Sequence, residues 1–115
     1  MKMNDTHDSS LEDAALAFSA LGSEQRLGVL RALVRAGPKG LSIGELGAAT
    51  GITGATLTHH VKFLTHAQLV KQVKQGRSVI CAAVAYDTVQ RLSEFLLSEC
   101  CADAGAHGHD HHRDQ

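Results

Sequence analysis

The stretch from Ser42 to Leu64 constrains this chain more than any other. Ser42 with Glu45 forms a capping box ahead of Ile43, Leu46 and Ala49, and Gly51 closes that very short helix. Thr53 opens the next helix, in which Leu57, Val61 and Leu64 fall at i, i+4 and i+7. Two short helices therefore meet across Thr50-Gly51-Ile52-Thr53, the layout of a helix-turn-helix.

Helical signals precede this unit. Ser9 with Glu12 makes another capping box before Leu11, Ala15, Leu16, Phe18 and Leu21, and Gly22 ends that segment. Ser23 caps a second helix whose Leu27, Leu30, Leu33 and Val34 share a stripe, stopped by Gly37-Pro38. After Leu69 the period becomes alternating: "LVKQVKQGRSVICAAV" reads as a β-hairpin joined at Gln75-Gly76, with Val79, Cys81 and Ala83 on one face of its second strand. Asp87 caps a last helix carrying Val89, Leu92, Phe95, Leu96 and Leu97 and running to about Cys101. The expected architecture is mainly α with a β-hairpin wing over residues 10–101, flanked by a disordered N-terminal tail (1–9) and a His-rich flexible C-terminal tail (102–115). That leaves about 90 residues for a core, a size at which chains often dimerise.

Net charge is -1, so the whole chain has no nucleic-acid signature. The local pattern differs: no acidic residue lies between Glu45 and Asp87, while Lys62, Lys71, Lys74 and Arg77 do. This basic block covers the second helix of the pair and the hairpin tip, the elements that would meet phosphates. The N-terminus lacks an apolar signal region and no run is long enough to span a membrane, so the expected location is cytoplasmic. Three cysteines without a secretion signal read as reduced thiols. No nucleophile, base and orienting acid fall together in one segment, so an enzyme is not expected.

"LSIGELGAATGITGATLTHHVKFLTHAQLVKQVKQGRSVI", residues 41–80, resembles the winged helix-turn-helix of the ArsR/SmtB family of bacterial repressors, and with "ALGSEQRLGVLRAL" the resemblance covers roughly residues 14–100. Gln68 departs from it, standing where family members usually have Gly; Gly54 and the wing residues Ser78 to Cys81 depart as well. The resemblance implies a homodimer built from the first and last helices, here residues 11–21 and 89–97, that presents two recognition helices to palindromic operator DNA. With Leu57 at the centre of the buried stripe, Ala55, Thr58, His59, Lys62 and His66 project the other way. The candidate DNA contacts are Ala55, Thr56, Thr58, His59 and Lys62 on that helix, with Lys74 and Arg77 on the wing. His60, at the edge of the apolar stripe, reads as structural.

The family senses different inducers at different places, so the inducer must be read from the side chains. The Cys-x-Cys box of several arsenic and cadmium sensors is absent from "ELGAAT", and residues 88–99 lack the histidines of the zinc sensors. Cys100-Cys101 resembles the vicinal pair of a subset of arsenic-responsive repressors. Soft thiolates favour thiophilic centres, and a direct bond between neighbours whose Cα atoms lie ~3.8 Å apart is strained against the usual span of about 4.4 to 6.8 Å. The expected inducer is trivalent arsenic, as arsenite or methylarsenite, with antimonite fitting the same chemistry; no catalytic cofactor is implied. Cys81 is either a third thiolate or a small hydrophobe on the hairpin. Two rivals stay open on the same scaffold: a divalent-metal sensor adding some of His107, His109, His111 and His112, and a thiol redox or persulfide sensor. A metal buffer or a protein-binding winged helix is the alternative of another class, and no membrane partner is expected.

Overall fold

The computed structural model describes residues 2–104. Helix α1 (Lys2–Leu21) leads to α2 (Glu24–Ala36), strand β1 (Leu41–Ser42), α3 (Ile43–Thr50), α4 (Gly54–His66), β2 (Val70–Gln75), β3 (Ser78–Ala83) and α5 (Ala85–Leu97). The sheet is antiparallel in the order β1-β3-β2. Mainly helical, with a hairpin wing, this is the expected winged helix-turn-helix.

Local chemistry accounts for most boundaries. The Ser23 hydroxyl accepts from the Arg26 amide at the start of α2, and at its end the Gly37 amide donates to the carbonyls of Leu33 and Val34. At α3 the capping box is complete: Ser42 Oγ accepts from the Glu45 amide at 3.1 Å, and Glu45 Oε1 accepts from the Ser42 amide at 2.9 Å. Gly51 closes α3 in the left-handed conformation. The core gathers Leu33 and Val29 of α2, Leu46 of α3, Leu57, Val61 and Leu64 of α4, and Leu69, all fully buried. Burying each such leucine contributes about 1.5–3 kcal/mol, which ties the two helices of the helix-turn-helix to α2.

Several boundaries differ from the sequence reading. α1 starts at Lys2, so the Ser9–Glu12 box lies inside the helix; no Gly or Pro in residues 2–9 interrupts it. The short strand β1 was not expected. It adds to β3 through Leu41↔Cys81 and Ser42↔Ile80, and Gly40 permits this approach, since it has φ 71° and a Cβ there would collide with the Cys81 carbonyl. The hairpin turn is Gly76-Arg77 instead of Gln75-Gly76, because Gln75 still pairs with Ser78. Glycine with φ 60° at the first turn position matches a type II′ turn and leaves Arg77 at the tip. Asp87 lies in the first turn of α5 and does not cap it; the helix starts where the Val84 amide bonds to the Leu69 carbonyl at 3.0 Å. α5 ends at Leu97 rather than near Cys101, and a 3-10 turn at Ala102–Ala104 follows.

Two helices bury small residues and expose large ones. α1 turns Ala14, Ala17 and Ala20 into the core and leaves Leu11 and Phe18 outside; α5 buries Ala85, Thr88 and Leu92 and exposes Val89, Phe95, Leu96 and Leu97. These exposed apolar side chains are available for contact with another molecule. Among the described residues no helix is long and apolar enough to cross a membrane.

Candidate nucleic-acid interface and thiol site

α4 is amphipathic in the sense its sequence requires. Leu57, His60, Val61 and Leu64 are buried, whereas Ala55, Thr56, Thr58, His59, Lys62 and His66 are exposed. The outward face is thus short and polar at its N-terminal half, with a lysine one turn further on, a profile that fits base edges and phosphates. Lys74 and Arg77 are exposed on the wing. The structure therefore leaves every sequence-predicted DNA contact free to meet a ligand.

The buried side of α4 is anchored to α2. His60 Nε2 pairs with Gln25 Oε1 at 2.9 Å, so that nitrogen carries the proton, and Nδ1 is buried with no partner. Burial first, then the charges of Arg26 and His59, hold His60 below the ordinary histidine range and keep it neutral. Arg26 donates to the carbonyls of Ala20 at 3.0 Å and Ser19 at 3.3 Å, and its guanidinium lies 4.1 Å above the Phe63 ring. Adjacent residues of α2 thus grip both the end of α1 and α4. His60 has the structural place expected of it.

The basic surface is wider than the recognised window. Arg31, Arg35 and Lys39 are exposed on and just after α2, and Glu45 is the only acid between Glu24 and Asp87. Counting from Glu24 instead of Glu45 would have revealed them in the sequence.

Cys100 and Cys101 follow α5 and are both exposed, with their sulfurs 3.5 Å apart. A disulfide needs about 2.05 Å, so these are free thiols with room for one bridging atom. The helical course has ended: Cys101 takes φ 65°, which brings its side chain back toward that of Cys100. The hydrogen bond with the Cys100 sulfur is the main reason Cys101 is held above the ordinary thiol range, with slight desolvation and the Cys100 charge adding to it. Cys81 lies elsewhere. It is fully buried in the central strand between Leu41 and Gln72, where burial pushes its thiol up, the Gln72 side chain opposing this weakly. Among the described residues no group of three His, Cys, Asp or Glu could hold a metal ion, so within one subunit Cys81 does not join the pair. His107, His109, His111 and His112 lie outside the described residues.

A helix-turn-helix domain family model matches residues 21–73, the segment from the end of α1 to the wing. Among solved structures, an ArsR-like transcriptional regulator from Rhodococcus sp. RHA1 superposes with a TM-score of 0.68 at 23% identity, covering 83% of this chain and 85% of that one. The chain has the ArsR-family winged helix-turn-helix fold. An ArsR family transcriptional regulator matches at 26% identity and a TM-score of 0.65, covering 83% of this chain and 93% of its own. The homodimeric winged helix-turn-helix DNA-binding domain of a possible ArsR-family regulator from Mycobacterium bovis matches at 20% identity and a TM-score of 0.66, covering 83% and 87%. No curated protein sequence matches the chain. In the ArsR-type fold α4 is the recognition helix and the hairpin is the wing, so the exposed polar face and the Arg77 tip fall on the two elements that reach DNA in winged helix-turn-helix proteins.

Proposed function

We propose that the chain is a dimeric ArsR-family transcriptional repressor that holds a palindromic operator until a trivalent arsenical binds Cys100 and Cys101. The observation that carries the sensing half is the exposed thiol pair with its 3.5 Å sulfur separation. Methylarsenite fits it best. Its arsenic carries a methyl group and two hydroxyls; each S–H proton leaves with one hydroxyl as water, two As–S bonds form, and no valence remains. Arsenite would keep one hydroxyl, because the third sulfur, Cys81, is buried apart from the pair. Soft thiolates account for the preference over hard cations.

DNA binding is supported by the outward face of α4, the Arg77 wing tip and the acid-free window around them. Dimerisation is supported by the exposed apolar stripes of α1 and α5 and by the homodimeric relative. Such a repressor works in the cytoplasm, where thiols stay reduced.

The test is fluorescence anisotropy of the protein on its upstream DNA, titrated in parallel with methylarsenite, arsenite, antimonite, zinc and hydrogen peroxide under reducing control conditions. Release by the trivalent metalloids, abolished in Cys100→Ser/Cys101→Ser while untreated binding persists, is the expected result. Release by zinc or peroxide alone would move the input to a divalent-metal or redox site and leave the repressor reading standing. Failure to bind any upstream duplex would refute the repressor reading itself.

A further inference from the structure

α4 meets α2 along an apolar seam, in which Leu57, Val61 and Leu64 join Val29 and Leu33 in one core. Apolar contact is non-directional, so this seam holds α4 in place without fixing its rotation about its own axis. Directional contacts come from two consecutive residues in the first turn of α2. Gln25 Oε1 accepts from His60 Nε2 at 2.9 Å, and the Arg26 guanidinium stands 4.1 Å from the centre of the Phe63 ring. His60 and Phe63 are three residues apart, neighbours on one side of a helix. His59 and Lys62, the residues just before them, are exposed on the outward face. The pair that α2 grips therefore sets the direction in which His59 and Lys62 point.

For packing alone, a histidine is a costly choice here. His60 is only 8% exposed and its Nδ1 has no hydrogen-bond partner, whereas a leucine would leave no polar atom unpaired. A buried polar atom left unsatisfied in a folded chain calls for a reason beyond packing. The charged and titratable groups that face His60 are Arg26 from α2 and His59 from its own helix, and among the described residues no carboxylate offsets them. Burial and these two neighbours keep the ring neutral, with its proton on Nε2 where Gln25 accepts it. The acceptor is itself held: the Ser23 hydroxyl caps the turn that carries Gln25, and Arg26 ties the same turn to the Ala20 and Ser19 carbonyls.

We infer that Gln25 is a positioning residue for DNA binding: through its bond to His60 it fixes the rotation of α4, and with it the aim of His59 and Lys62. The inference rests on the reading of α4 as the helix that enters the groove. Gln25 lies behind α4, on the side turned away from that face, and touches no DNA. Without the bond α4 keeps its apolar seam but occupies several rotations, of which a duplex accepts one. The apparent dissociation constant then rises in inverse proportion to the fraction in that rotation. Neutral His60 is the form this arrangement needs. Protonated, the ring gains an Nδ1–H with no acceptor and faces Arg26 with like charge, so acid loosens the same seat.

Variants of the full chain test this by fluorescence anisotropy on the upstream duplex. Gln25→Leu removes the acceptor and should weaken binding about fivefold or more at neutral pH, while Gln25→Glu supplies an acceptor again and should come within about twofold of wild type. His60→Leu separates aim from stability: it should melt no lower than wild type, since the seam then holds no unpaired polar atom, and still lose about fivefold in affinity. As the solution is acidified, Gln25→Glu should gain on wild type, because its carboxylate holds the imidazolium that the amide does not. Nitrogen–proton spectra without DNA add a second readout. His60 should be a single neutral Nε2–H form in wild type, and in Gln25→Leu its ring signals and the amides of residues 59–63 should broaden or multiply. Gln25→Leu and His60→Leu proteins that bind as tightly as wild type, or a Gln25→Glu protein that binds as poorly as Gln25→Leu, would overturn the inference. If wild type binds no upstream duplex, the repressor reading fails, and the spectra alone decide whether Gln25 fixes α4, unchanged signals in Gln25→Leu counting against it.

Discussion

Removing Arg77 should change how the protein responds to salt more than how it folds. The side chain sits exposed at the tip of the Gly76-Arg77 turn, and the described residues include no ion pair to it. With Lys62, Lys74 and Arg77 each on one phosphate, a dimer makes six contacts, and counterion release gives a slope of log affinity against log salt of about -5.4. Raising salt from 50 to 200 mM would then weaken binding about 1,800-fold. Arg77→Ala deletes two contacts per dimer, so the slope should fall to about -3.6 and the same salt step should cost only about 150-fold. Anisotropy titrations of a labelled operator duplex at four salt concentrations measure both slopes, and Arg91→Ala, on α5 away from the wing, is the control that should leave the slope alone. Equal slopes for wild type and Arg77→Ala would refute the placement of the wing tip on the DNA backbone.

Other consequences are more local. Gly40→Ala should destabilise the fold by more than about 1 kcal/mol in a urea titration, since the left-handed backbone and the Cys81 carbonyl both oppose a Cβ. Ser42→Ala removes half of the α3 capping box and should cost about 1 kcal/mol by the same measurement. Because His60 is held below its ordinary value, the unfolded chain takes up the proton first: stability is full above about pH 6.5 and should decline as pH falls through the lowered folded value. His60→Gln should flatten that decline in thermal melts across pH 4.5–7.5. A thiol-reactive dye should label Cys100 and Cys101 rapidly in the native protein and Cys81 only on unfolding; fast labelling of all three would contradict the buried position of Cys81.

Features written in neighbouring residues were legible in the sequence. The capping box at Ser42, the glycine stops at Gly37 and Gly51, and the buried stripe Leu57-Val61-Leu64 each depend on side chains a few positions apart, and all have their expected form. The exposure of Lys62, His59 and Arg77 followed from the same periodicities. What the sequence hid depends on distant partners. β1 is two residues long and exists because β3 offers an open edge beside Gly40. The start of α5 depends on a bond from Val84 to Leu69, so the local cap signal at Asp87 misled by three residues. The separation of Cys81 from Cys100-Cys101 is likewise a matter of packing, since nothing in their spacing reveals which thiol faces the core. Gln68 lies between these cases: an unusual residue at a position that favours glycine signalled strain, but not that a threonine twenty residues away would brace it.

The thiol pair stands beyond the last turn of α5 and contributes no side chain to the core. If the pair is the detector proposed above, it is separable from the fold that it reports to. On that reading, residues 98–104 could be rewritten to recognise another chemical without disturbing the core or the outward face of α4, so a lineage could acquire a new stimulus through changes at the rim of the protein while the proposed DNA-binding face is inherited intact.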